Sequence, residues 1–185
     1  INLGCKKIVI NTHYLHEKIK LFIKNNYSNR KVILIYEPIL LNTGGGIKNA
    51  LNFLDKNNFI VTNSDILWRE ENTNDVLKFI KNYQKVETCK LLLATDNNFE
   101  GLKKAEGDFK FENGLLKRWN KNDPKLFYTG LQIINPIIFN LIEDSSFSMN
   151  KLYDLLIIKN NLKGELSHSN IAHIGDKNAF NQFNS

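Results

Sequence analysis

Hydrophobic positions along this chain follow two periods. Short apolar runs alternate with stretches in which apolar residues recur three and four apart, the spacing of one helical face. "KIVIN" (7–11) and "VILIY" (32–36) read as buried strands, and between them "LHEKIKLFIKN" sets Leu15, Ile19, Phe22 and Ile23 on one side of a helix. "FIVTN" (59–63) and "CKLLLAT" (89–95) predict two further strands, separated by a helix marked by Val76, Phe79, Ile80 and Tyr83. Between the second and third strands lies "LNTGGGIKNAL" (41–51), read as a glycine loop opening into a helix from about Gly46 to Leu54. Strands alternating with helices predict an α/β fold whose mixed sheet is mostly parallel and flanked by helices.

The pattern changes after residue 100. "GDFKFENGLLKRW" (107–119) has Asn113-Gly114 between alternating runs, the signal of a hairpin. "LFYTGLQIINP" (126–136) is a further strand closed by proline; Met149, Leu152, Leu155 and Leu156 mark a helix, "GELSHS" a strand, and 176–183 a last short helix. The hairpin is a small antiparallel insertion in one domain, with no internal repeat and no linker-like stretch.

Composition narrows the function. The 185 residues are enough for a proper core, and 42% hydrophobic content suits a globular protein. The net charge of +6 raises the question of nucleic acid, but only Arg30, Arg69 and Arg118 are arginines, and no basic stripe is interleaved with aromatics. A small acidic ligand such as a nucleotide or sugar phosphate fits the excess equally well. No apolar run nears the ~18 residues of a membrane span, and "INLGCKKIVI" lacks a signal-peptide layout. Cys5 and Cys89 have no metal spacing and are expected as buried thiols on strands in a cytoplasmic protein.

Ligands of open α/β sheets sit beyond the carboxyl ends of strands. Three features fall there: Asn11-Thr12-His13-Tyr14, the glycine loop, and Thr62-Asn63-Ser64-Asp65. An aspartate leaving a strand end can hold Mg²⁺, which takes one or two carboxylates together with phosphate oxygens. It can equally be a turn-forming Asx. "GGGIKNA" is neither a Walker A motif nor G-x-G-x-x-G.

Together, "EPILLNTGGGIKNAL", "VTNSD", "YTGLQIINPIIF" and "IAHIGDKNAF" resemble, in order and spacing, the sugar-1-phosphate nucleotidyltransferases. The likeness is to small bacterial members such as the N-acetylmuramate-1-phosphate uridylyltransferases and mannose-1-phosphate guanylyltransferases. It implies a Rossmann-like, nucleotide-diphospho-sugar transferase fold. It also implies that Thr43, Gly44 and Gly45, with Asn11 and Asn63, lie on the nucleotide side, glycine being used so that the ligand can approach the backbone. Asp65 takes the place of the catalytic metal-binding aspartate, with Mg²⁺ as cofactor. Gly107, Asp108, Thr129, Gly130 and His173 fall on the sugar-phosphate side. His173 stands where many relatives have a second acidic ligand, and contact with phosphate or sugar suits it better than Mg²⁺ does.

The implied reaction condenses a nucleoside triphosphate, UTP ahead of GTP, with a sugar-1-phosphate. Nucleic acid and membrane are not expected partners. The family's G-x-G-x-R loop, which wraps the triphosphate, has no counterpart in these residues. The expectation is therefore a single nucleotidyltransferase domain over 1–185, N-terminally truncated, with the missing segment or subunit as a further partner. Two other readings stay open: a non-catalytic remnant or nucleotide-binding fragment of a split enzyme, and a nucleotide-sugar-dependent glycosyltransferase, which usually shows D-x-D where this chain has Asn63-Ser64-Asp65.

Overall fold

A computed structural model describes residues 3–27, 31–102 and 104–183. In chain order the elements are β1 (Ile8–Thr12), α1 (His16–Tyr27), β2 (Val32–Tyr36), α2 (Asn42–Ala50), β3 (Phe59–Thr62), β4 (Ile66–Leu67), α3 (Thr73–Lys81), β5 (Cys89–Ala94) and β6 (Phe99–Glu100). There follow β7 (Phe109–Glu112), β8 (Leu115–Arg118), β9 (Phe127–Ile134), α4 (Met149–Ile158), β10 (Leu162–Leu166), β11 (Ile171–His173) and α5 (Lys177–Phe183). The fold is mixed α/β, as the alternating pattern predicts, and the chain forms two compact units: Ile1–Asn57 with Phe139–Leu155, and Asn58–Ile138 with Leu156–Ser185.

In the first unit β1 and β2 pair in parallel, Ile8 opposite Val32 and Thr12 opposite Tyr36. The connection is α1, the crossover that a parallel pair requires. Of the apolar face expected on α1, Ile19 and Ile23 are half-buried while Phe22 is 56% exposed; Leu15 precedes the helix in the left-handed region, at φ 56°. Cys5 is exposed and precedes β1, so the expected buried thiol is absent there; Cys89, on β5, is buried.

The helix after β2 also departs from the sequence reading. It begins at Asn42 rather than Gly46, so the three glycines form its first turns and are all buried. None of them needs a positive φ. What they need is space. A Cβ on Gly44 would lie 2.3 Å from the Phe147 ring, one on Gly45 2.3 Å from the Ser145 carbonyl oxygen, and one on Gly46 3.0 Å from Glu37 Oε1. Phe147 O then accepts from the N–H groups of Gly44 (2.8 Å) and Gly45 (3.1 Å), satisfying donors that a helix start leaves open.

The second unit is built on the sheet β10-β5-β9-β3. β10 and β5 run parallel, whereas β9 is antiparallel to both β5 and β3. β5 is buried on both faces, which is why its sequence shows no polar alternation. Its one charged side chain, Lys90, pairs with Glu165 of β10 at 2.7 Å and lies over the Phe79 ring. On one face Phe79, Leu92, Phe127, Leu131 and Ile133 pack with Val76 and Ile171. The expected hairpin is present as β7–β8, with Asn113 (φ 52°) and Gly114 (φ 75°) in the paired left-handed conformations of a tight two-residue turn. A small third sheet, β4-β11-β6, carries the residues of chemical interest in this unit.

Candidate functional site

Asp65 lies in the turn between β3 and β4, and His173 ends β11. The two strands bring them together: β4 and β11 are antiparallel with His173 opposite Ile66, and Ile174 N donates to Asp65 O at 2.8 Å. His173 Nε2 donates to Asp65 Oδ2 at 3.3 Å. The other carboxylate oxygen, Oδ1, is buried with no hydrogen-bond partner among the described residues. A buried acceptor with no donor is costly, and such exceptions in folded proteins ask for a reason.

The turn is held from below by β9. Gly130 has φ +83°, and a Cβ there would come within 2.9 Å of both Asn63 Cβ and Ile66 Cγ1; its carbonyl accepts from Asn63 N at 3.0 Å. Here glycine is required twice over, by conformation and by contact. The His173 ring is fixed by an edge-on contact with Phe99 and by Gly175, where a Cβ would be 2.4 Å from the ring. Beside it Gly101, Gly175, Asp176 and Ala179 line a small cleft of about 130 Å³.

The chemistry of this donor set can be tested against Mg²⁺. Among the described residues no three His, Cys, Asp or Glu side chains converge as a metal cage. One carboxylate with an unsatisfied oxygen is the donor set Mg²⁺ uses when substrate phosphates supply the rest. The residues fit the ion.

In the first unit Asn11, at the carboxyl end of β1, sits beside the glycine turn. Its amide Nδ2 donates to Glu37 Oε1 (2.6 Å) and to Gly46 O (3.0 Å). Thr43 Oγ1 accepts from Met149 N at 3.0 Å, at the start of α4. Gly44 to Lys48 spell G-x-G-x-K, yet Lys48 Nζ donates to the carbonyls of Ile142 (2.6 Å), Glu143 and Asp144. That lysine ties down the segment leading to Phe147.

No protein-family model matches the chain. In sequence it is 26% identical, over 178 residues, to the N-acetylmuramate alpha-1-phosphate uridylyltransferase of Caulobacter vibrioides, an alignment covering 92% of this chain and 73% of that protein. In fold it is similar to HddC from Yersinia pseudotuberculosis complexed with GMP-PN, with a TM-score of 0.76 at 20% identity over 98% of this chain and 78% of that one. The inositol-1-phosphate CTP transferase from T. maritima gives 0.74 at 12% identity, covering 95% and 73%. In sequence the chain is thus similar to a sugar-1-phosphate nucleotidyltransferase, and its fold is that of such enzymes.

The residues that the family resemblance singles out do not all face open space. Asp65, Asn63, Gly130 and His173 come together in the second unit as described. Thr129 is fully buried with Oγ1 donating to Leu92 O at 2.9 Å, so its side chain serves the sheet. A Cβ on Gly107 would be 2.8 Å from the Trp119 ring. Asp108 pairs with Lys104 and accepts from Tyr128 N at 3.1 Å, fixing the β7–β8 insertion to β9. In the first unit Asn11, Thr43, Gly44 and Gly45 cluster, but the backbone N–H groups of the two glycines are already taken by Phe147. The glycines are thus explained by packing of the 145–147 segment, not by ligand approach alone.

Sequence reasoning passed over Glu37, which is 5% exposed and central to the Asn11 cluster. The signal was present: like Asp65, it is an acid directly after an apolar strand.

Proposed function

We propose that this chain is a nucleotidyltransferase that condenses UTP, with GTP as second choice, with a sugar-1-phosphate to give a nucleotide sugar and pyrophosphate. The observation that carries it is the Asp65 carboxylate, half-exposed at a strand end yet keeping one buried oxygen that meets no donor among the described residues. Uridine is placed first because the curated relative is a uridylyltransferase; GTP follows from the GMP-PN bound by the structural relative.

In the reaction a phosphate oxygen of the sugar-1-phosphate attacks the α-phosphorus of the triphosphate. The new P–O bond forms as the bond to the β-phosphate bridging oxygen breaks, and pyrophosphate leaves with that electron pair. No protein nucleophile is needed, so positioning and charge neutralisation carry the catalysis. Mg²⁺, when bound, neutralises phosphate charge. Asp65 would hold the ion through its carboxylate, whose orientation is fixed by the His173 hydrogen bond at Oδ2. Asn63 and Gly130 set the turn that aims Asp65. Asn11 and the α2 start would take the nucleoside.

Asp65→Asn tests this reading. Removing a metal-binding carboxylate is expected to lower pyrophosphate release by about a hundredfold or more, with an unchanged melting curve. Full activity in the folded variant removes Asp65 from the mechanism.

One sequence fact favours a second reading. These residues contain no G-x-G-x-R, and the nearest spelling, Gly44–Lys48, is occupied by structural contacts. Nucleotide binding without transfer would follow unless a triphosphate-binding segment is supplied from outside them. Supplying such a peptide in trans, and scoring nucleotide sugar formed, separates binding subunit from enzyme.

A further inference from the structure

Asp65 Oδ2 and His173 Nε2 lie 3.3 Å apart, and both side chains are partly open, at 44% and 29% exposure. Without an ion the contact is a hydrogen bond, with Nε2 donating. The same spacing suits two ligands of one cation. With bonds of about 2.1 Å, neighbouring ligands stand about 3.0 Å apart at a right angle and about 3.4 Å apart at the tetrahedral angle. An ion that takes the place of the shared hydrogen therefore needs little movement of either group.

The imidazole is held in position for this. Phe99 meets it edge-on, with ring centroids 6.4 Å apart. A Cβ on Gly175 would lie 2.4 Å from Cε1 and 2.9 Å from Nε2, so the glycine leaves the ring the space it occupies. The pairing of β4 with β11 sets the register, His173 standing opposite Ile66. Beside the ring, the cleft of about 130 Å³ walled by Gly101 and Gly175 has room for waters or phosphate oxygens. A neutral imidazole has one N–H and one bare nitrogen, so Nε2 becomes a ligand once its proton is carried on Nδ1.

The geometry points to Asp65 and His173 as a mixed oxygen–nitrogen pair that selects a divalent transition ion, such as Co²⁺ or Mn²⁺, over Mg²⁺. Mg²⁺ is a hard ion that favours oxygen ligands, whereas imidazole suits the first-row transition metals. The inference rests on the proposed nucleotidyl transfer and names the ion its carboxylate takes. A second acid at position 173 would favour Mg²⁺, and this chain has histidine there. Substrate phosphates and water supply the remaining ligands.

The test uses the full-length polypeptide that carries these residues, with Mn²⁺, Co²⁺ and Mg²⁺ as probes. Electron spin echo spectra of bound Mn²⁺ are expected to show coupling to a directly bonded imidazole nitrogen, lost in His173→Asp. Calorimetric titrations should give a Co²⁺-to-Mg²⁺ affinity ratio that falls about tenfold in the same variant. Asp65→Asn should weaken the binding of all three ions.

Mn²⁺ bound without nitrogen coupling overturns the inference, as does an unchanged affinity ratio in a folded His173→Asp. Should that variant not fold, the wild-type spectrum decides by itself. Ions that Asp65→Asn binds as tightly as wild type overturn it too. Nucleotide sugar formed by a protein whose Mn²⁺ shows no nitrogen coupling sinks only this inference. A folded protein that shows the coupling but forms no nucleotide sugar with any of the three ions sinks the proposed function and leaves the ion site standing.

Discussion

Gly45→Ala separates two explanations of a triple glycine: room for a ligand, or room for the chain itself. On helix propensity alone the change is favourable by about 1 kcal/mol. The structure opposes it. The new Cβ would stand 2.3 Å from Ser145 O, 3.0 Å from Leu41 Cβ and 3.1 Å from Ser146 Cα. Two of these are backbone atoms, so no rotamer change relieves the contact. The 145–147 segment would have to move, and with it the Phe147 carbonyl that accepts from Gly44 and Gly45. Overpacking of this kind costs about 3 kcal/mol, at the upper end of its usual range. Less the propensity gain, about 2 kcal/mol of destabilisation remains.

For a chain of this size that is a fall in Tm of about 4–8 °C. The assay is thermal or urea unfolding without nucleotide, so that ligand approach cannot contribute. Gly46→Ala is the control, because the nearest atom to its new Cβ is the end of the Glu37 side chain at 3.0 Å. It should lie within about 1 kcal/mol of wild type. A Gly45→Ala protein as stable as wild type would refute the packing explanation.

Asp75 gives a pH-dependent prediction. Burial alone raises its pKa, but hydrogen bonds from Ser169 N, Ser167 Oγ, Ser169 Oγ and His168 N outweigh that and hold it below the usual aspartate range. A lowered carboxylate contributes stability that is present above its unfolded pKa and lost as pH falls through the folded one. Asp75→Asn should therefore cost about 1 kcal/mol at pH 7, allowing for solvent screening. Urea titrations should show the gap closing below about pH 4; a gap independent of pH would contradict the assignment. The two thiols should differ sharply towards alkylation. Cys5 is exposed, whereas Cys89 is fully buried and burial pushes its thiol pKa well up. Mass spectrometry should find one label on the native protein and two after unfolding. Native labelling of Cys89 would mean that β5 opens.

What was legible in the sequence followed from local periodicity. The β5 run "CKLLLA" and the Asn113-Gly114 hairpin carry their structure in adjacent residues. The helix at Gly44–Gly46 was misplaced because glycine disfavours helix locally. It is stabilised there by Phe147, a hundred residues away, which no local propensity can reveal. Thr129 looked like a site residue for the same reason in reverse: its place in "YTG" is visible, while its bond to Leu92 O depends on β5–β9 pairing. Asp65 stood out as an acid at a strand end. Its partner His173 lies 108 residues on and meets it only through β4 and β11, two- and three-residue strands too short to signal themselves.

The most direct measurement is pyrophosphate release by the full-length polypeptide carrying these residues. It should be run with Mg²⁺ over UTP, GTP, CTP and dTTP, each with a panel of sugar-1-phosphates, with mass spectrometry of the product. The account predicts release that requires both substrates, is greatest with UTP, yields the matching nucleotide sugar, and disappears with Asp65→Asn. A folded protein that releases no pyrophosphate with any pair would contradict it.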